Sequence, residues 1–128
     1  MFWRKKRVFV SFDVNNDGAL RDFAISQSRI PGSRFRVVDP SVKQAEPSKT
    51  WERETLRAIR SSKLVIVMVG PDAHRAPQVL KEVRMARELG VPTIQITKHR
   101  GSKHKPVPGA GRPYRWSSEN LKKLKLRK

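Results

Sequence analysis

The sequence predicts an α/β fold: a parallel sheet of four or five strands layered between helices. Apolar strand-like runs alternate along the chain with segments of helical period, the pattern of a sheet covered by helices on both faces. One run, Leu64–Val69, is apolar without interruption, as a strand buried on both faces must be. A chain of 128 residues has the length of one domain built on one core, so residues 1–128 are taken as a single unit.

The elements follow in order. Arg7–Asp13 reads as the first strand, and Asn15, Asn16, Asp17 and Gly18 form a turn signal. Asn16 or Asp17 suits the N-cap of a first helix whose Leu20, Phe23, Ala24 and Gln27 share a face. Pro31 and Gly32 break that helix, and Phe35–Val38 is a short second strand. Asp39–Pro47 is polar, carries two prolines and reads as a long loop. Ser48 or Thr50 then caps a second helix with Trp51, Thr55, Ala58 and Ile59 inward. Leu64–Val69 is the third strand, closed by a turn at Gly70, Pro71 and Asp72. The third helix runs from about Pro77 to Leu89, with Pro77 at N1 and Gly90 at C′. Its apolar positions are Val79, Val83, Met85, Ala86 and Leu89. Val91–Ile96 is a fourth strand, with Pro92 at its start, where a missing N–H is tolerable. Residues 97–113 are rich in Lys, Arg, Gly and Pro and read as a basic loop. Ser117 or Ser118 caps a terminal helix from Glu119 to about Leu126, so 97–128 is a basic loop followed by a helix. Right-handed crossovers arrange these elements as a flavodoxin-like three-layer sandwich with the first strand central.

Composition narrows the function. Hydrophobic residues make up 37% of the chain, and no apolar run approaches the roughly 20 residues of a membrane span. Val8–Val10 is too short for the apolar core of a signal peptide, so a cytoplasmic protein without membrane contact is expected. The absence of cysteine removes disulfides, thiol nucleophiles and cysteine zinc sites. His74, His99 and His104 lack ligand spacing, so neither a metal site nor a resident cofactor is expected.

Charge is concentrated at the ends. Residues 1–7 and 97–128 hold 15 Lys and Arg against one acid, whereas residues 8–96 hold 14 against 10. Such ends attract polyanions through counterion release. Contact with nucleic acid is therefore confined to the basic tail, since no helix-turn-helix, RNP or zinc-finger pattern is present to read bases.

Glu82 is the main chemical candidate. Its helix follows the third strand directly, placing it near the carboxyl end of a sheet strand, where open α/β sheets bind ligands. A held, apolar-shaded carboxylate there acts on a ligand; a first-turn Glu complementing the helix dipole is the alternative. Ser11, Phe12 and Asp13 end the first strand at the same edge. Ser11 can donate to a phosphate or ribose oxygen, and alternation puts Ser11 and Asp13 on the face opposite Phe12. Phe12 serves either as a stacking platform or as core, and Asp13 either contacts a ligand or caps the following turn. Asp39 opens the long loop, as ligand contact or as an Asx-turn before Pro40. Lys43 and Lys49 can neutralise pyrophosphate, and Trp51 stacks on a base or packs under its helix. His74 and Arg75 lie between the third strand and the Glu82 helix, within reach of a ligand at that edge.

Three stretches together resemble one family. Lys6–Asp13 resembles the first-strand signature of TIR (Toll/interleukin receptor) domains. Ser62–Gly70, the Glu82 helix and Glu88–Ile96 are similar to their third strand, third helix and fourth strand. Lys105–Gly111 and Tyr114–Trp116 resemble a tail of bacterial and archaeal TIR-like proteins, among them the TIR-like subunit of Thoeris antiphage systems. The resemblance covers about residues 6–116. It implies an enzyme that cleaves NAD, as substrate and not cofactor, at the nicotinamide–ribose bond. The product is then hydrolysed ADP-ribose or a cyclised signalling nucleotide. It also implies self-association, and an effector protein reached through the diffusible product. Glu82 matches the family's essential Glu, and Asp39–Lys49 matches the loop that covers substrate. Many members carry Trp four residues before that Glu, where this chain has Gln78. A non-catalytic TIR-like interaction module is the alternative the same resemblance allows.

Two other classes fit poorly. A phosphoacceptor domain needs paired acids after the first strand and an Asp ending the third, but Asp13 stands alone and the third strand ends in Val69 and Gly70. Flavin binding needs a Ser/Thr-rich phosphate loop, which Val14–Gly18 is not.

Overall fold

A computed structural model describes residues 5–38, 48–98 and 103–117. Five strands, β1 (Lys6–Ser11), β2 (Phe35–Val38), β3 (Leu64–Met68), β4 (Thr93–Thr97) and β5 (Pro113–Arg115), form one sheet in the order β2-β1-β3-β4-β5. Every pairing is parallel, with Ser11 opposite Val67 and Met68 opposite Ile96. Helices α1 (Gly18–Ser28), α2 (Lys49–Arg60) and α3 (Pro77–Leu89) cover it. The fold is α/β, consistent with the flavodoxin-like sandwich. The middle position belongs to β3 and not to β1, because β4 and β5 both add on the β3 side.

Strand alternation divides the core into two layers. Val65 and Val67 of β3 and Phe9 of β1 face Trp51 and Ile59 of α2 and Val79, Val83 and Ala86 of α3. Leu64, Ile66 and Met68 face the other way, joining Val8, Val10 and Phe12 beneath Ala24 of α1. All five residues of β3 are buried, as its unbroken apolar run requires. Ser48 caps α2, its hydroxyl accepting the Trp51 N–H at 3.1 Å. Trp51, Thr55 and Ile59 then form the inward stripe. Helix α3 begins at Pro77 and stops at Gly90, whose left-handed φ of 71° closes it.

Three boundaries differ from expectation. Strand β1 ends at Ser11, because Asp13 turns the chain: its carboxylate accepts the Asn15 N–H at 3.1 Å and the Asn16 side-chain amide at 2.7 Å. Asp17 takes the N-cap position of α1, yet its side chain makes no capping bond. Part of the basic stretch 97–113 is strand, since Thr97 completes β4 and Pro113 opens β5. The expected terminal helix, Glu119–Leu126, lies outside the described residues, as do Asp39 and Lys43. Among the described residues, no helix is long and apolar enough to cross a membrane.

The irregular segment before β5 is held by one side chain. Gln95 is fully buried; its amide nitrogen donates to the carbonyls of Val107 and Gly111, and its oxygen accepts the Val107 N–H at 2.7 Å. Val107 and Ala110 are thereby seated in the α2–α3 layer of the core. Gln95→Leu keeps the volume but strands these backbone groups, and should cost about 2–4 kcal/mol. A lowered urea midpoint at unchanged slope is the measurement that checks it.

Candidate functional site

The site forms where β1, β3 and α3 meet at the carboxyl edge of the sheet. Glu82 is the sixth residue of α3, and no acid stands in that helix's first turn. The dipole reading therefore fails, because that effect fades beyond the first turn. Instead, Glu82 points into the layer between α3 and the sheet and is only 3% exposed. Its Oε1 accepts the Ser11 hydroxyl at 2.6 Å and the Gln78 side-chain amide at 2.8 Å. Ser11 reaches it because it shares its strand face with Phe9, the face α3 covers. Gln78 reaches it because positions four apart stack on one side of a helix.

Burial pushes the Glu82 carboxyl up to about 8, against the hydrogen bonds from Ser11 and Gln78, which hold it down. At neutral pH the unliganded group therefore keeps its proton. Gln78→Leu removes one of the two restraining donors, so the carboxyl should titrate at still higher pH. Carbon-13 NMR of the Glu82 side chain, followed against pH, measures this directly; a curve moved to lower pH would contradict it.

A cleft of about 260 Å³ opens beside this group. One wall is the turn from Asp13 to Asn16; the other runs from Asp72 through Arg75 to Gln78. Gln78 is shared, lining the cleft on one side and bonding Glu82 on the other. Glu82 thus sits one side chain behind the cleft, with Arg75 at the rim paired to Asp72 at 2.7 Å.

The structure sorts the remaining candidates. Ser11 joins Glu82, and Asp13 lines the cleft while holding its turn. Phe12 does not approach either: it is buried in the α1 layer, on the opposite sheet face, because strand alternation turns it away from Ser11. His74 sits in a single 3-10 turn, Ala73–Arg75, and is not a cleft-lining residue; its Nδ1 is buried without a partner. Trp51 is 2% exposed and packs under α2, so no face of it is left for stacking. Asp39 and Lys43 fall outside the described residues. Among the described residues no group of three or more His, Cys, Asp or Glu could hold a metal ion. Gln78, which the sequence marks only as a departure from a family pattern, is the second donor to Glu82; its spacing of four from Glu82 is the signal that places it there.

A family model described as Thoeris protein ThsB, TIR-like domain, matches residues 9–103. Among solved structures, the TIR domains of the activated Roq1 resistosome directly recognizing the pathogen effector XopQ align at a TM-score of 0.47 with 15% identity. That alignment takes in 73% of this chain and 58% of the resistosome chain. No curated protein matches significantly.

Proposed function

Because the chain belongs to the family of Thoeris ThsB TIR-like domains, we propose that it cleaves NAD at the nicotinamide–ribose bond and releases a nucleotide signal, as part of antiphage defence. The observation that supports this reading is the sheltered Glu82 carboxyl, fixed by Ser11 at the ligand-binding edge of a parallel sheet.

The chemistry suits a single carboxylate. The C1′–N bond breaks with its electron pair passing to the ring nitrogen, so nicotinamide departs neutral and needs no general acid. Positive charge then develops on the ribose, where a carboxylate stabilises it. Ionised Glu82 supplies that carboxylate. The pyridinium of the substrate favours this ionised form, since an opposite charge nearby lowers a carboxyl pKa. Ser11 keeps Oε1 in place as the charge appears. Capture of the ribosyl cation by water, which gives up a proton to solvent, yields ADP-ribose, and capture by a hydroxyl of the same molecule, with loss of its proton, yields a cyclic nucleotide. Reaching the ribose requires Gln78 to swing aside, because its amide stands between carboxyl and cleft.

Incubation with NAD across a range of protein concentrations, with products separated by chromatography, tests the proposal. Release of nicotinamide with ADP-ribose marks hydrolysis, and a cyclic product marks cyclisation. A steep dependence on protein concentration marks a site completed by self-association. The sealed state of Glu82 favours one second reading, a non-catalytic TIR-like module that only self-associates or docks partners. That reading requires assembly with no loss of NAD at any concentration.

A further inference from the structure

A second cleft, of about 210 Å³, opens on the α1 side of the same sheet edge. Its lining includes Asp17, Lys98 and His104 among polar groups and Leu20, Val69 and Pro71 among apolar ones. Asp17 is anomalous there. It is 4% exposed, its side chain makes no capping bond to the helix it precedes, and its Oδ2 is buried with no hydrogen-bond partner. Gly70 makes room for this arrangement: a Cβ at that position would stand 2.1 Å from Oδ2.

Such a carboxylate works against the fold. A buried polar group without a partner costs stability, and any N-cap benefit is forgone. Burial and the neighbouring Asp13 push Asp17 up to about 6, with His104 acting in the other direction and Asp72 adding to the rise. The Lys98 ammonium rests on the Phe23 ring, 4.8 Å from its centroid, and Lys98 lines the cleft. The lining therefore brings together a carboxyl acceptor, a lysine, a histidine and apolar side chains. Hydroxyl donors satisfy the acceptor, a sugar's carbon face suits the apolar wall, and an anionic group suits the cations. At about 210 Å³ the cleft has room for a ligand of sugar-phosphate size.

We propose that this cleft binds a ribosyl phosphate, with ribose hydroxyls donating to Asp17 and the phosphate facing Lys98 and His104. The same chemistry occurs in a free sugar phosphate and in a mononucleotide. The assignment is independent of the role given to Glu82.

Calorimetric titration of the Glu82→Gln protein with ribose 5-phosphate, ribose, inorganic phosphate and AMP tests it by binding alone, so a failure leaves the NAD reading untouched. Ribose 5-phosphate should bind at least about tenfold more tightly than ribose or phosphate. Asp17→Asn should weaken it by about tenfold or more, and Lys98→Ala should weaken ribose 5-phosphate but not ribose. Without ligand, Asp17→Asn should raise the melting temperature, because it removes a desolvated charge. Tighter binding of AMP assigns the cleft to a nucleotide; tighter binding of ribose 5-phosphate assigns it to the free sugar. Absence of saturable binding, equal binding by Asp17→Asn, or a lowered melting temperature in that variant overturns the proposal.

Discussion

Glu82→Gln is expected to lower kcat for NAD cleavage by about 10²–10³-fold, the usual loss when one electrostatic stabiliser of a transition state is removed. The substitution is close to isosteric. Its amide oxygen still accepts from Ser11 and Gln78, the two donors that meet Oε1 in the native site, so packing is retained. What disappears is the charge that steadies the ribosyl cation. Circular dichroism should be unchanged while nicotinamide release falls, and a rate within about twofold of wild type would remove Glu82 from the mechanism. The pH dependence sharpens the test. Since the free carboxyl is pushed up to about 8, wild-type kcat/KM should climb as pH rises toward that value, because only the ionised form acts. The residual rate of Glu82→Gln should lack that limb.

The second large effect is on stability. An unfolded Glu ionises near its ordinary value of 4.5, whereas Glu82 in the folded protein holds its proton up to about 8. Between those values the folded state binds the extra proton, so stability falls with rising pH across the window. Below pH 4.5 both states are protonated and no penalty exists; above pH 8 it is complete. The loss is on the order of 5 kcal/mol at most, against a total of about 5–15 kcal/mol for a domain of this kind. Denaturant unfolding of Glu82→Gln and wild type should therefore give similar midpoints near pH 4.5 that separate steadily toward pH 9, the variant being the more stable. Parallel curves would mean that Glu82 is not buried as described.

Much of this was legible in the residues because the strongest signals are local. Pro77 and Gly90 bracket α3 by fixing backbone angles, and the apolar run of β3 predicts burial on both faces. Period-two alternation puts Ser11 and Phe12 on opposite faces from the sequence alone. Most of the misses depend on a partner distant in sequence. The three residues of β5 are exposed and carry no hydrophobic period; they become strand only by pairing with β4. Gln95 is a polar residue between two isoleucines, and nothing nearby in sequence announces that Val107 and Gly111 will need it. Gln78 appeared as a departure from a family pattern, yet in space its amide is the second donor to the key carboxyl. Asp17 reads as a helix cap in the sequence, yet its side chain makes no capping bond and packs against Gly70 instead.

The contact between Ser11 and Glu82 joins groups 71 positions apart, and it lies in the seam where a helix is fastened to the sheet. Losing the proton plants a charge in that seam and invites water between the two layers. Deprotonation and loosening of α3 should thus be one event, so that whatever primes the chemistry also frees the helix that carries it.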